Sequence, residues 1–181
     1  MPVQIMQIRE EHIESHHATL DVVARERVYL ALQEAPPIEA TRTFVRDNIA
    51  KGHPHLVAVE NGRVLGWCDV TPKTRPIMQH CGVLGMGLLP GRRGQGLGSE
   101  LMRRALGAAR VFGFARVELT VRDDNEPAKA LYRKWGFAVE GCNRRAIRVD
   151  GVFYDLIMMA RLFDVVGFLS DAADRPKGES P

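Results

Sequence analysis

The apolar positions change period several times along the chain, and each change marks an element. Val3, Ile5 and, less regularly, Ile8 alternate with polar residues as a short opening strand. From about Glu10 to Leu32 the spacing becomes helical, with Ile13, Leu20, Val23 and Val28 on one side, and Pro36-Pro37 ends the run. A second helix is predicted from Ile38 to Lys51, with Phe44 and Val45 inward and Gly52 as terminator. Leu56 and Ala58, then Asn61-Gly62, then the run from Val64 predict a β-hairpin, because Asn-Gly accepts the positive φ of a tight turn.

Cys81 to Leu89 is apolar but broken by glycines, which predicts a buried strand with a bend or bulge at Gly85 or Gly87. It runs directly into Pro90-Gly91-Arg92-Arg93-Gly94-Gln95-Gly96-Leu97-Gly98. Beyond that loop, Leu97, Leu101, Ala105, Ala108 and Phe112 mark one face of an amphipathic helix, with Glu100 and Arg104 one turn apart on the solvated side. Val117, Leu119 and Val121 alternate as a strand, and Asp123-Asp124-Asn125-Glu126-Pro127 supplies a helix cap with proline in the first turn. Ala128, Leu131 and Trp135 are expected to face inward from that short helix, which Gly136 closes. Phe137 to Val149, Asp150-Gly151 and Val152 to Leu162 then read as a final hairpin.

No repeat or linker interrupts this order, so residues 1–169 are expected to form one mixed α/β domain, followed by a polar, flexible tail at 170–181. The charge balance, 25 basic against 22 acidic residues, is spread along the chain and gives no block suited to nucleic acid. Cys68, Cys81 and Cys142 are widely separated and form no metal or disulfide framework, which points to a reduced, cytoplasmic protein. Neither a signal peptide nor a membrane span is expected.

The chemistry concentrates in the loop at 90–98. Glycines at 91, 94, 96 and 98 let the backbone approach a ligand closely, and the helix that follows adds its partial positive charge, so the turn is suited to a phosphate or pyrophosphate. The spacing fits neither a P-loop nor a Rossmann turn. A purely structural glycine-rich turn is the alternative.

Arg93-Gly94-Gln95-Gly96-Leu97-Gly98 resembles the cofactor motif of the GNAT superfamily of N-acetyltransferases, Gln/Arg-x-x-Gly-x-Gly/Ala. Asn125, Ala128, Leu131, Tyr132, Gly136 and Phe137 are similar to that family's downstream pattern, and the resemblance extends over about Val57 to Leu162. It implies a twisted, mostly antiparallel sheet of about seven strands, splayed at the cofactor site and flanked by about four helices. It also implies acetyl-CoA as co-substrate, with the backbone of Arg93, Gly94, Gly96, Gly98 and Ser99 around the pyrophosphate and Leu88 and Leu89 paired with the pantetheine arm. Asn125 and Ala128 would complete the cofactor site, and no metal is implied.

For catalysis, the resemblance implies Tyr132 as proton donor to the departing thiolate and a backbone amide near Leu88 that polarises the thioester carbonyl. The family often places a carboxylate base on the strand before the loop, but Cys81 to Leu89 contains none. His80, Asp69 and Glu118 are the candidates that remain, beside a water chain without a dedicated base. Arg25, Arg27, Tyr29 and Trp67 are candidates for the acceptor pocket, an arginine there being able to hold a carboxylate at two points. Cys81 and Cys142 are expected to be inert core thiols, and His12, His16 and His17 to lie on a solvated helix face.

The strand spacing and final hairpin look most like the branch that acetylates amino acids and related small amines, phosphinothricin-type enzymes included. The expected function is therefore acetyl transfer to the amine of a small molecule, with the homodimer through the last strands that is common in the family as the candidate assembly. Acetylation of a protein N-terminus or lysine, and a non-catalytic coenzyme A sensor, are the alternatives.

Overall fold

The computed structural model describes residues 2–164, so the expected tail at 170–181 lies outside the described residues. In chain order the elements are β1 (Gln4–Gln7), α1 (Ile13–Arg25), α2 (Ile38–Lys51), β2 (His55–Glu60), β3 (Arg63–Pro72), β4 (Cys81–Leu88), α3 (Leu97–Phe112), β5 (Arg116–Arg122), α4 (Glu126–Lys134), β6 (Ala138–Val149) and β7 (Val152–Leu162). The seven strands form one sheet in the order β1-β2-β3-β4-β5-β7-β6. Its pairings are antiparallel except β4 with β5, which is parallel.

Strand alternation splits the core into two layers. Leu56, Ala58, Cys68 and Val70 pack with α3, while Val57, Val59 and Trp67 pack with Val23 of α1 and Val45 of α2. Helix α3 buries Leu101, Met102, Ala105 and Ala109. Both hairpins turn on residues with positive φ, Asn61-Gly62 (50° and 76°) and Asp150-Gly151 (47° and 86°), which is the geometry that matches strand twist.

Several expectations are corrected. The first helix stops at Arg25 rather than Leu32, because tertiary partners take over the next residues. Arg27 adopts a φ of 55°, Arg122 donates to its carbonyl at 2.9 Å, and the Ala35 amide donates to Asp21 at 3.0 Å. Phe44 and Phe112, expected inward, are each 41% exposed, the buried stripes running through their neighbours instead. Cys142 is exposed on β6, with its Sγ 3.8 Å from Asp155. His12 and His16, expected in solvent, are buried.

The expected bulge in β4 is absent. Its ladder with β3 runs without a shift from Gly66 opposite Leu88 to Pro72 opposite Gly82. The glycines serve close approach instead: a Cβ on Gly87 would stand 2.3 Å from the Trp67 ring, and one on Gly85 would stand 3.0 Å from Asp69 Oδ1. Splaying occurs on the other edge. Strand β4 pairs with β5 only from Cys81 opposite Arg116 to Val83 opposite Glu118, so beyond Val83 a gap opens toward the glycine-rich loop.

Candidate active site at the open strand pair

A cleft of about 670 Å³ fills that gap. Met86, Gly87 and Leu88 form its β4 wall, Thr120 and Val121 its β5 wall, and the 93–99 turn and α4 close its end. The register decides which backbone groups face it. Leu89 donates its amide to the Leu65 carbonyl at 2.9 Å, and Lys73 donates to Cys81, so the odd-numbered residues of β4 spend their backbone groups on β3. Antiparallel alternation therefore turns the amides and carbonyls of Met86 and Leu88 toward the gap. This corrects the expected pairing of Leu89 with a ligand, since its carbonyl also accepts from Arg92. Leu88 keeps an amide facing the cleft, while its carbonyl accepts two bonds from the Arg93 guanidinium at 3.0 and 2.7 Å.

Arg93 does more than supply an amide. Its guanidinium also donates to Glu26 at 2.8 and 2.5 Å and lies 4.1 Å from the centre of the Tyr29 ring. One side chain thus fastens the segment after α1 to the end of β4, and this brings Tyr29 to the cleft.

Gly94 and Gly96 hold φ of 73° and 81°, a backbone that side chains rarely adopt, and these turns deliver the chain to the start of α3. Gly98 is required for a different reason, since a Cβ there would lie 3.0 Å from Leu88 Cδ1. The first-turn amides of α3 have no carbonyl one turn earlier and line the cleft together with the positive helix end. Ser99 accepts a bond from the Trp135 indole at 3.2 Å, which ties the start of α3 to the end of α4. Asn125 caps α4 by accepting from the Ala128 amide at 3.2 Å, and both residues line the cleft.

Tyr132 is 8% exposed, with its ring 5.9 Å from that of Phe137, and it borders the cleft from α4. Burial, reinforced by the nearby Cys68, raises its pKa above that of a free phenol, so its hydroxyl remains protonated at neutral pH.

A second, smaller cavity of about 230 Å³ lies under α1 and α2 and shares Met86 with the cleft. Leu20, Leu30, Leu32, Pro36 and Phe44 give it apolar walls, and Trp67, Asp69 and His16 reach it from the sheet and α1. Burial lifts the Asp69 carboxyl to about 7, against the pull of hydrogen bonds from the Trp67 side chain and its own backbone amide. Its partner across the ladder, Gly85, leaves the space into which the carboxyl fits. A carboxyl group absent from β4 is thereby presented on its surface from β3.

The remaining candidates separate. Trp67 is 4% exposed and walls the second cavity. His80 is exposed at the far end of β4, roughly 25 Å along the strand from Leu88 at the usual rise, so it is not brought to the site. Arg25 is exposed and pairs with Asp21 at 2.7 Å and Glu34 at 3.2 Å, away from both cavities. Glu118 is held by Lys73 at 2.5 Å and Arg116 at 3.0 Å, which lower its pKa although burial pushes the other way. Among the described residues no group of three or more His, Cys, Asp or Glu could hold a metal, and no helix is long and apolar enough to cross a membrane. Sequence reasoning missed Glu26 and His16, whose roles depend on distant partners. Asp69 was one of three side-chain candidates for the base in the sequence, and only the ladder with Gly85 shows where its carboxyl sits.

Several solved structures share this fold. The phosphinothricin acetyltransferase of Sinorhizobium meliloti in complex with AcCoA matches with a TM-score of 0.83 at 20% identity, over 90% of this chain and 89% of that one. The chain belongs to the acetyltransferase (GNAT) family, whose model matches residues 17–137. Among characterised relatives, the L-amino acid N-acetyltransferase AaaT of Escherichia coli is 28% identical over 86% of this chain and 96% of that protein. The N-alpha-acetyltransferase RimI of Mycobacterium tuberculosis is 36% identical over 57% of this chain and 64% of that protein.

Proposed function

We propose that this enzyme transfers the acetyl group of acetyl-CoA to the primary amine of a small molecule, both substrates being bound at once. The observation that carries the proposal is the meeting of two cavities at Met86, one beside the glycine-rich turn and one holding Asp69. The diphosphate of the thioester would rest on the amides of Gly94 to Ser99, where positive φ and a helix end already orient donors. The cleft-facing amides of Met86 and Leu88 would receive the acyl arm.

Transfer forms one bond from the amine nitrogen to the thioester carbon and breaks the carbon–sulfur bond. Asp69 takes the proton that the amine must lose, being ionisable near neutral pH. Tyr132, kept protonated by burial, gives a proton to the departing sulfur. The similarity to AaaT supports a small acceptor, and that to RimI a peptide N-terminus. The compact second cavity favours the former. Release of free thiol from acetyl-CoA in the presence of a mixed amine panel, with mass spectrometry of the products, tests the assignment. Saturable acetylation of a small amine is expected, and cofactor binding without transfer to any amine would refute it.

A further inference from the structure

We infer that the acceptor is an apolar primary amine with no carboxylate beside the amino group, an amine or an amide rather than a free amino acid. The inference rests on the transferase reading above and concerns its second cavity. Leucine, proline and aromatic side chains wall that cavity, and the ionisable groups lining it are Asp69 and His16. Asp69 is 7% exposed and meets the amine, because it alone there can take a proton at neutral pH and lies on the strand whose ladder reaches Met86.

His16 is 2% exposed, packs edge-on against Trp67 with ring centres 5.2 Å apart, and its Nδ1 has no hydrogen-bond partner. Burial lowers its pKa to about 4, with neighbouring His17 adding to the effect. It therefore offers an uncharged hydrogen bond, suited to a neutral carbonyl or hydroxyl and unable to neutralise an anion. Thr41, the other polar side chain in the wall, is likewise neutral and bonds to His17 at 3.0 Å.

A carboxylate carried next to the amine would be buried beside Asp69 without a cation lining the cavity among the described residues. Arg25 is turned outward onto Asp21 and Glu34, and Arg93 is engaged by Glu26 and the Leu88 carbonyl. Burying an anion unpaired beside a second carboxyl is costly, so the free acid should be a much poorer substrate than its amide, by at least tenfold.

The test uses the full chain and matched pairs of acceptors: L-leucine against L-leucinamide, L-phenylalanine against L-phenylalaninamide and 2-phenylethylamine, with spermidine and a leucine-initiated tripeptide alongside. Free thiol release gives kcat/KM for each. Amides and 2-phenylethylamine are expected to exceed the free acids and spermidine by about tenfold or more. A smaller or reversed preference, or spermidine as the best acceptor, overturns this inference while leaving the transferase intact. A tripeptide preferred more than tenfold over its amide also overturns it, by making the cavity the first subsite of a longer groove. No thiol release with any amine, while acetyl-CoA still binds, overturns the transferase reading itself.

Discussion

The carboxyl of Asp69 on β3 lies over the bare Cα of Gly85 on β4, with Oδ1 3.0 Å from the point where a side chain at that position would begin. The two residues are direct partners in the ladder, so a charge carried by one strand is presented on the surface of the next. Strand β4 contains no acidic residue, and this pairing supplies one beside Met86, where the two cavities meet.

Asp69→Asn should lower kcat/KM for the amine by about a hundredfold or more while leaving acetyl-CoA affinity unchanged. The acid limb of the wild-type pH–rate profile, with a midpoint near 7, should disappear with the carboxyl. Stability should move the other way. The folded carboxyl holds its proton to higher pH than the unfolded one, so the wild type loses stability as pH rises from the ordinary carboxylate range to about 7. Calorimetry should find Asp69→Asn more stable than wild type at pH 8, by roughly 1–3 kcal/mol, and the advantage should shrink toward pH 4.

His16 gives the opposite slope. Its folded pKa of about 4 lies below the ordinary 6.5, so the unfolded chain takes up a proton first as pH falls through that window. Buried His55, 5.0 Å away between ring centres and also shifted down by burial, adds to the effect. Urea unfolding of His16→Gln should therefore show a stability difference from wild type that moves in the variant's favour between pH 6.5 and pH 4. An unchanged difference across that range would contradict a neutral, buried His16.

Gly96→Ala separates backbone strain from crowding. A Cβ at this position meets nothing within 4 Å, but the φ of 81° is unfavourable for any side chain. The cost should be about 1 kcal/mol of stability, with acetyl-CoA affinity reduced as the α3 amides are turned away. Gly96→Asp should abolish detectable cofactor binding in calorimetric titration, because it adds a negative charge where the proposal seats the diphosphate.

Tyr132→Phe removes only the hydroxyl from a buried ring, so the fold and acetyl-CoA affinity should be retained. A fall in kcat of about tenfold to a hundredfold is expected for loss of the proposed proton donor. Single-turnover measurements should place the defect in the chemical step. An unaltered kcat would leave Tyr132 as a packing residue between Phe137 and the cleft.

Local chemistry determined a large part of this protein. The two hairpins follow from Asn61-Gly62 and Asp150-Gly151, the cap of α4 from Asn125, and the glycine-rich turn from glycines placed ahead of a strongly amphipathic helix. Each of these depends on residues within a few positions of one another, and sequence spacing reports such relationships directly. What only the tertiary structure decided involves partners distant in the chain. Arg93, bonded to Glu26 across 67 positions and to the Leu88 carbonyl, fastens the segment after α1 to the end of β4 beside Tyr29 and the cleft. The β3–β4 register sets Asp69 upon Gly85, turns Leu88 toward the gap and commits Leu89 to Leu65, because a ladder shifted by one residue would face every one of these groups the other way.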